Sequence, residues 1–256
     1  MGGIEWLSFR KNHQGECFLS TFILFMVIIL FASILQTSTG FGFSIMATPF
    51  LLLLFPPREA IQINLILSLV ISLALIVKIR RDIDFPLVKR FVVGIIPGLP
   101  LGILIFTLID MSLLKVLISL IIIVLTVLLI MNFRIRQSKM RDFLAGGWSG
   151  ALTTSIGMPG PPLLLYFSGT KTGKGKLRGT TLAFYLFIYL VSLGIQVKVA
   201  GTTLTVWKSS LQALPVVAIG LVLGQALFNK INQKIFQIVT YVLLLFTGIY
   251  LLIESI

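Results

Sequence analysis

Long apolar runs without charge are the feature that most constrains this chain. Residues 18–36 and 209–228 contain no charged residue at all. A transmembrane helix needs about 20 predominantly apolar residues, so each run is long enough to cross a bilayer. Runs such as 113–131 also lack the apolar–polar alternation of a membrane β-strand. These runs therefore predict membrane-spanning α-helices.

The whole chain divides into apolar segments joined by short polar connections. Hydrophobic residues make up 57% and charged residues 11%, whereas soluble domains are about 45–50% apolar and about 25% charged. We therefore predict an all-α membrane protein with about 8–10 transmembrane segments and one transporter domain over residues 1–256. The assigned segments are 18–36, 43–55, 60–79, 88–108, 112–132, 142–156, 160–169, 178–198, 209–228 and 235–254.

Three of these segments (43–55, 142–156 and 160–169) are too short to span a bilayer, and they adjoin polar stretches rich in glycine or proline. Residues 36–44 read QTSTGFGFS, and residues 153–162 read TTSIGMPGPP. Both stretches lie where an apolar run should continue, which predicts broken or re-entrant short helices. A shift of 117 residues aligns the TSxG sequence of the first stretch with that of the second.

The same shift carries Asn64 onto Thr181, and a shift of 122 residues carries the GxxxG motif at 98–102 onto the one at 220–224. Repeated landmarks of this kind indicate an internal repeat. Each half would hold a broken pair followed by three long helices, and the two halves would cover about 18–132 and about 142–254. We expect the GxxxG motifs to serve close helix packing.

The basic residues give an independent test of the repeat. The connections 79–90, 133–141, 171–178 and 229–234, with Lys78 at the edge of the first, carry most of the lysines and arginines. Placing these connections in the cytoplasm follows the positive-inside rule. It gives the two halves opposite orientations and puts both termini outside the cytoplasm. The charge pattern therefore predicts an inverted-topology repeat and explains the net charge of +13 without nucleic-acid binding.

Inverted-repeat transporters bind substrates near the bilayer midplane, where broken helices expose N–H groups and the positive ends of helix dipoles. Hydroxyls such as that of Ser44 and permissive glycines in both stretches suit such a site, although small residues also serve helix packing. The predicted substrate-binding residues are Gln36, Thr37, Ser38, Thr39, Gly40, Gly42, Asn64, Thr153, Thr154, Ser155, Gly157, Gly160 and Thr181.

Ionisable residues are scarce inside the apolar segments. The eight acidic residues lie in termini or at segment ends, and the single histidine, His13, precedes the first segment. Proton relays and carboxylate cation sites need such groups within the membrane, so a neutral or anionic solute fits better. With a single cysteine, Cys17, and no nucleophile–base pair or metal-ligand cluster, we predict no enzyme, no catalytic residue, no metal and no cofactor.

At these residues the sequence resembles the TauE/SafE family of membrane transporters. The resemblance covers about residues 18–254 and includes TSTGFGF at 37–43, PFLL at 49–52, GMPGPP at 157–162 and RGT at 178–180. It implies export of sulfite, sulfonates such as sulfoacetate, or related small oxyanions across the bacterial inner membrane. The chain departs from the family at Pro161 and Pro162, where another glycine is common.

We therefore predict a multi-pass inner-membrane exporter of a small anion, with sulfite or an organosulfonate as the substrate. Its partners would be that anion and membrane lipids, and assembly as a homo-oligomer stays open. Two alternatives also stay open, namely an importer of another small solute in the same fold and a non-transporting membrane scaffold. Arg178 would begin a helix on the inner side, where it either gathers anions or has a structural or lipid-facing role.

Overall fold

The computed structural model describes residues 3–108, 137–170 and 172–230, with side chains from residue 20 onward, and scattered residues within 113–131 and 238–253. The predicted segments 112–132 and 235–254 therefore lie largely outside the described residues. Within the described ranges all regular structure is helical, as predicted. The helices are α1 (Gly3–Thr39), α2 (Phe43–Leu54), α3 (Pro57–Ile79), α4 (Phe85–Leu108), α5 (Lys139–Ile156), α6 (Gly160–Gly169), α7 (Lys174–Ala200) and α8 (Leu204–Lys230).

Five described helical stretches are long and apolar enough to cross a membrane, and they confirm a multi-pass membrane protein. They are Ser20–Thr39, Pro57–Asp82, Phe85–Leu108, Lys174–Ala200 and Leu204–Phe228. Large apolar side chains such as Val77, Ile96 and Val222 lie on the outer surface. Serine, threonine, asparagine and glutamine side chains are buried between the helices. This arrangement suits a bilayer, which solvates the apolar surface but not the polar groups.

Both predicted helix breaks are present. α1 ends at Thr39 and α2 begins at Phe43, while α5 ends at Ile156 and α6 begins at Gly160. Gly40, Gly42 and Gly157 have positive φ angles of 87°, 117° and 74°. Residues with a Cβ rarely adopt that backbone region, so these glycines end or interrupt the helices. The short segments predicted from the sequence are therefore real helices separated by glycine-dependent turns.

Two close helix pairs hold the described helices together. α4 packs along α5, and α1 packs along α8. A Cβ added at Gly98 would lie 2.2 Å from the carbonyl oxygen of Gly147, and one added at Gly220 would lie 2.4 Å from Cβ of Ser33. The predicted packing role of the GxxxG motifs is thus confirmed. Each pair joins one predicted half to the other, as a two-fold repeat requires, although the repeat itself stays a prediction.

The third inter-half contact is between α3 and α7, which pack together in the centre of the described region. Serines on α3 and tyrosines on α7 are fully buried there. Both helix breaks also contact this pair, since Gly40 lies against α7 and Gly157 lies against α3. The fold therefore brings the two interrupted helices onto a shared central pair, where the candidate site is found.

Candidate functional site

The first break, residues 40–42, rests directly on the backbone of α7. The N–H of Gly40 donates to the carbonyl oxygen of Gln36 at 2.8 Å and closes the last turn of α1. A Cβ added at Gly40 would lie 2.7 Å from Cα of Arg178. The backbone contact and the positive φ together require glycine at this position. Gly42 has a similar restriction, because its added Cβ would lie 2.7 Å from Cδ2 of Leu35.

Two hydroxyls of this stretch are used within the turn. Thr39 Oγ1 donates to the carbonyl oxygen of Leu35 at 2.7 Å and accepts from the N–H of Phe41 at 3.1 Å. Ser38 Oγ donates to the same Leu35 carbonyl at 3.1 Å. The predicted residues Ser38 and Thr39 therefore shape the end of α1, and in this structure their hydroxyls are already occupied.

Gln36 and Thr37 are different, because they carry polar atoms without partners. Gln36 Nε2 donates to Ser68 O at 3.1 Å and to Ser72 Oγ at 3.3 Å, both on α3. Among the described residues, neither its Oε1 atom nor Thr37 Oγ1 has a hydrogen-bond partner, although both side chains are fully buried. Leaving a buried polar group unpaired costs about 1–3 kcal/mol, so such groups call for an explanation.

The second break, residues 157–159, rests on α3. Asn64 Nδ2 donates to the carbonyl oxygen of Gly157 at 2.8 Å. A Cβ added at Gly157 would lie 2.8 Å from the same Nδ2 and 3.2 Å from Cγ2 of Ile61. The predicted shift of 117 residues carries Gly40 onto Gly157 and Ile61 onto Arg178. Each break thus contacts the long helix of the other half at corresponding positions.

All three predicted hydroxyls at the second break are hydrogen bonded. Thr153, Thr154 and Ser155 donate to the carbonyl oxygens of Ser149, Gly150 and Ala151 at 2.5, 3.0 and 2.8 Å. Thr154 Oγ1 also lies 3.2 Å from Ser192 Oγ on α7. Gln196 Nε2, on the same helix, donates to Thr154 O at 2.9 Å. Side-chain bonding of this kind fixes α5 to α7.

The beginnings of α2 and α6 lie next to each other. A Cβ added at Gly160, the first residue of α6, would lie 3.0 Å from Cδ1 of Ile45 in the first turn of α2. N–H groups in the first turn of a helix have no partner within that helix. Pro161 and Pro162 carry no N–H, so these two residues contribute no such donor at the start of α6.

Four further hydroxyls converge near these helix starts. They belong to Ser44 on α2, Ser68 on α3, and Tyr185 and Tyr189 on α7, and all four side chains are fully buried. The Tyr189 hydroxyl is within hydrogen-bonding reach of Ser44 and Ser68, but none of the four hydroxyls makes a well-formed hydrogen bond to another described residue. The sequence predictions missed three of these residues, and Ser44 was noted only as one hydroxyl of the first stretch.

A faint sequence signal was available for the missed residues. Ser68 and Ser72 are four residues apart on α3, as are Tyr185 and Tyr189 on α7, so each pair lies on one helix face. Thr181, which was predicted from the repeat, continues the tyrosine face by one further turn. It is fully buried and its Oγ1 also has no partner. Polar faces of this kind on central helices distinguish α3 and α7 from lipid-facing helices.

Arg178 is buried beside the first break, with 3% of its surface exposed. Its Nη2 donates to Gln225 Oε1 at 2.7 Å, and its guanidinium carbon lies 4.3 Å from the centre of the Phe228 ring. The lipid-facing alternative for Arg178 is therefore wrong. Its Nε has no hydrogen-bond partner in the part of the chain that the structure describes, so this N–H is a further buried donor beside the first break.

A separate polar cluster joins α4, α5 and α6 near the beginning of α5. Arg90 Nε lies 2.6 Å from Asp142 Oδ2, and Tyr166 OH donates to Asp142 Oδ1 at 2.5 Å. Asp142 lies at a helix end, as predicted, but it is almost completely buried. Because both carboxylate oxygens have partners, this cluster has the character of a structural connection between three helices.

Apolar spans around a polar interior with two interrupted helices define the class of protein, a multi-pass α-helical membrane protein. The family model described as "Sulfite exporter TauE/SafE" matches residues 25–251. The chain therefore belongs to the TauE/SafE family, as its motifs predict. No curated protein and no solved structure matches the chain, so the family is the finest level at which these comparisons describe it.

Proposed function

We propose that this protein exports a small anion, sulfite or an organosulfonate such as sulfoacetate, across the bacterial inner membrane. Membership of the sulfite exporter TauE/SafE family supports this substrate class. The observation that carries the proposal is the convergence of the starts of two interrupted helices on buried hydroxyls of α3 and α7, which make no well-formed hydrogen bond among the described residues. Such donors are what an anion needs once it leaves water.

Binding would take place mainly at the first break. The first-turn N–H groups of α2 and its positive dipole end attract an anion, and Thr37 contributes a hydroxyl donor. Gly40 and Gly42 adopt the positive φ angles that end α1 and place the start of α2 at this site. At the second break, Asn64 and Thr154 already have partners on Gly157 and Ser192, so they would hold the opposite wall in position.

Export of an anion needs no coupling ion in this scheme. An inside-negative membrane potential favours outward movement of a negative charge by about 2.3 kcal/mol per 100 mV. The orientation we propose keeps the basic connections in the cytoplasm and both termini outside. In that orientation the lysines and arginines raise the local anion concentration on the side from which the substrate enters.

The direct test is flux through purified protein in liposomes. Labelled sulfite and sulfoacetate would be loaded inside, a potential imposed, and efflux followed against protein-free liposomes and a carrier of known activity. We expect saturable efflux that increases when the potential drives anions outward. Absence of flux for both anions, with folded protein and an active control carrier, would rule out the sulfur-oxyanion assignment. Flux of neutral solutes alone, or of nothing, would instead favour an importer or a scaffold.

A further inference from the structure

We propose that the hydroxyls of Ser44, Ser68, Tyr185 and Tyr189, here called the hydroxyl cage, hold the dehydrated oxyanion during transport. This inference rests on the proposed function and names the groups that would recognise the substrate. The four residues come from three helices, α2, α3 and α7, and each side chain is completely buried.

The cage hydroxyls lie buried next to one another. The Tyr189 hydroxyl is within hydrogen-bonding reach of Ser44 and Ser68, but the angles are poor, and among the described residues none of the four hydroxyls makes a well-formed hydrogen bond. A packing role alone would favour phenylalanine and alanine at these positions, because they fill similar space without an unpaired polar atom. Hydroxyls that are buried, close together and poorly aligned with one another instead suit a ligand that arrives with several acceptor oxygens.

Both interrupted helices reach the cage. Ser44 lies in the first turn of α2, so that turn's N–H groups are close to its hydroxyl. At the start of α6, a Cβ added at Gly160 would lie 3.2 Å from the Tyr185 hydroxyl oxygen. The absence of a side chain at Gly160 therefore lets the start of α6 pack closely against the Tyr185 hydroxyl. Helix ends and hydroxyl groups thus supply donors from several directions.

The composition of the cage determines the class of ligand. All four members are neutral, so attraction comes from oriented hydroxyl and helix dipoles. The rings of Tyr185 and Tyr189 are 5.0 Å apart, centre to centre, and tilted by 56° to each other, which forms a compact apolar wall. A small head group with several oxygens, such as sulfite or a sulfonate group, fits this combination of donors and apolar surface.

The test compares Tyr189→Phe and Ser68→Ala with the control Ser210→Ala. Ser210 also has a buried hydroxyl without a partner, but it lies on α8 and is not a cage residue. Efflux KM, maximal flux and Tm would be measured for sulfite and for sulfoacetate. Because hydrogen bonds to charged groups are strong, we expect KM to rise about tenfold or more in each cage variant. Tm of the free protein should be unchanged or slightly higher, and the control should keep the wild-type KM.

A second readout does not depend on transport. Sulfite and sulfoacetate should raise Tm of the purified wild-type protein and of Ser210→Ala, and they should do so much less for Tyr189→Phe. If wild-type flux is present but both cage variants keep the wild-type KM and anion-dependent Tm shift, the cage is not the binding site and the proposed function stands. If the wild type shows neither flux nor a Tm shift with either anion, both proposals are wrong.

Discussion

The two helix breaks have similar backbones but different side-chain chemistry. At the first break, Gln36 Oε1 and Thr37 Oγ1 are buried without hydrogen-bond partners. At the second, Thr153, Thr154 and Ser155 all donate to backbone carbonyls. One interrupted helix therefore retains polar groups for a ligand, while the other has used its hydroxyls to fix its own position.

The residues of α7 and α3 that contact the two breaks also differ, with an unused donor beside the first break and a hydrogen-bonded amide beside the second. The first break lies against Arg178, a buried cation with an unused Nε–H. The second lies against Asn64, whose amide donates to Gly157 O at 2.8 Å. The prolines after Gly160 also remove N–H donors from the start of α6. The comparison indicates that the two breaks differ in role, with unpaired donors at and around the first break and hydrogen-bonded, structural hydroxyls at the second.

The strongest test of this comparison is to replace the positive-φ glycine at each helix break by alanine, which adds one methyl group. In Gly40→Ala the new Cβ would lie 2.7 Å from backbone Cα of Arg178, at a φ of 87°. Because a backbone atom cannot move aside, we expect a loss of about 2–4 kcal/mol in stability, seen as low folded yield and a lower Tm. In Gly157→Ala the new Cβ meets the Asn64 amide, which can rotate away, so the loss should be nearer the left-handed strain of about 1–2 kcal/mol.

Tm and size-exclusion profiles in detergent would check this order. Gly173→Ala is a suitable control, since an added Cβ there meets nothing within 4 Å. Equal losses in Gly40→Ala and Gly157→Ala would show that the backbone of Arg178 confines Gly40 no more tightly than the amide of Asn64 confines Gly157. A larger loss in Gly157→Ala would show that the second break is the more tightly confined of the two.

The sequence predicts the helices and their breaks much better than it predicts the residues of the candidate site. The helices and both breaks follow from local signals, namely charge-free apolar runs and glycine or proline between them, so residues 40–42 and 157–159 were found directly. The hydroxyl cage depends instead on how α3 packs against α7. A lone Ser68 or Tyr189 in an apolar helix looks like ordinary packing, and the burial of Arg178 follows from its contact with α8. Such tertiary contacts leave little trace in one sequence.

Thr37 and Thr154 offer a matched pair for sharpening the comparison, because the shift of 117 residues aligns them. Thr→Val keeps the shape and removes the hydroxyl. Thr37→Val should leave Tm unchanged or higher, since Thr37 Oγ1 has no partner, but it should raise the efflux KM severalfold. Thr154→Val should lower stability by about 1 kcal/mol, because bonds to Gly150 O and Ser192 are lost.

For this pair, Tm and efflux KM would be measured on the same preparations. The comparison is supported if Thr37→Val raises the efflux KM without lowering Tm, while Thr154→Val lowers Tm. If Thr37→Val lowers Tm while KM stays at the wild-type value, the threonine serves packing against Gly224, whose added Cβ would lie 2.6 Å from Thr37 Cβ. The first break would then be as structural as the second.

The smallest expected effect concerns the loops that anchor the starts of α7 and α3. The N–H of Asp84 donates to Thr180 Oγ1 at 3.1 Å, and Lys176 Nζ lies 2.7 Å from Asp84 Oδ2. At the corresponding place in the other half, Gln62 Nε2 donates to Gly201 O at 2.8 Å. The Asp84 anchor thus includes a charge pair, while the Gln62 bond is neutral. The contribution of the first anchor to stability should therefore depend on pH, and that of the second should not.

Burial alone would raise the pKa of Asp84, but the hydrogen bond from Lys176 and the N–H of Leu87 outweigh it and lower the pKa below 3.8. A lowered folded-state pKa stabilises the protein above pH 3.8, and that contribution is lost as pH falls through the folded-state value.

Asp84→Asn should therefore reduce the fall in Tm between neutral and acidic pH. At neutral pH it should cost no more than about 1 kcal/mol, because Lys176 is largely exposed. Gln62→Leu should lower Tm by a similar amount at every pH. If Tm of the two variants depends on pH in the same way, the carboxylate of Asp84 adds nothing to the stability of its anchor.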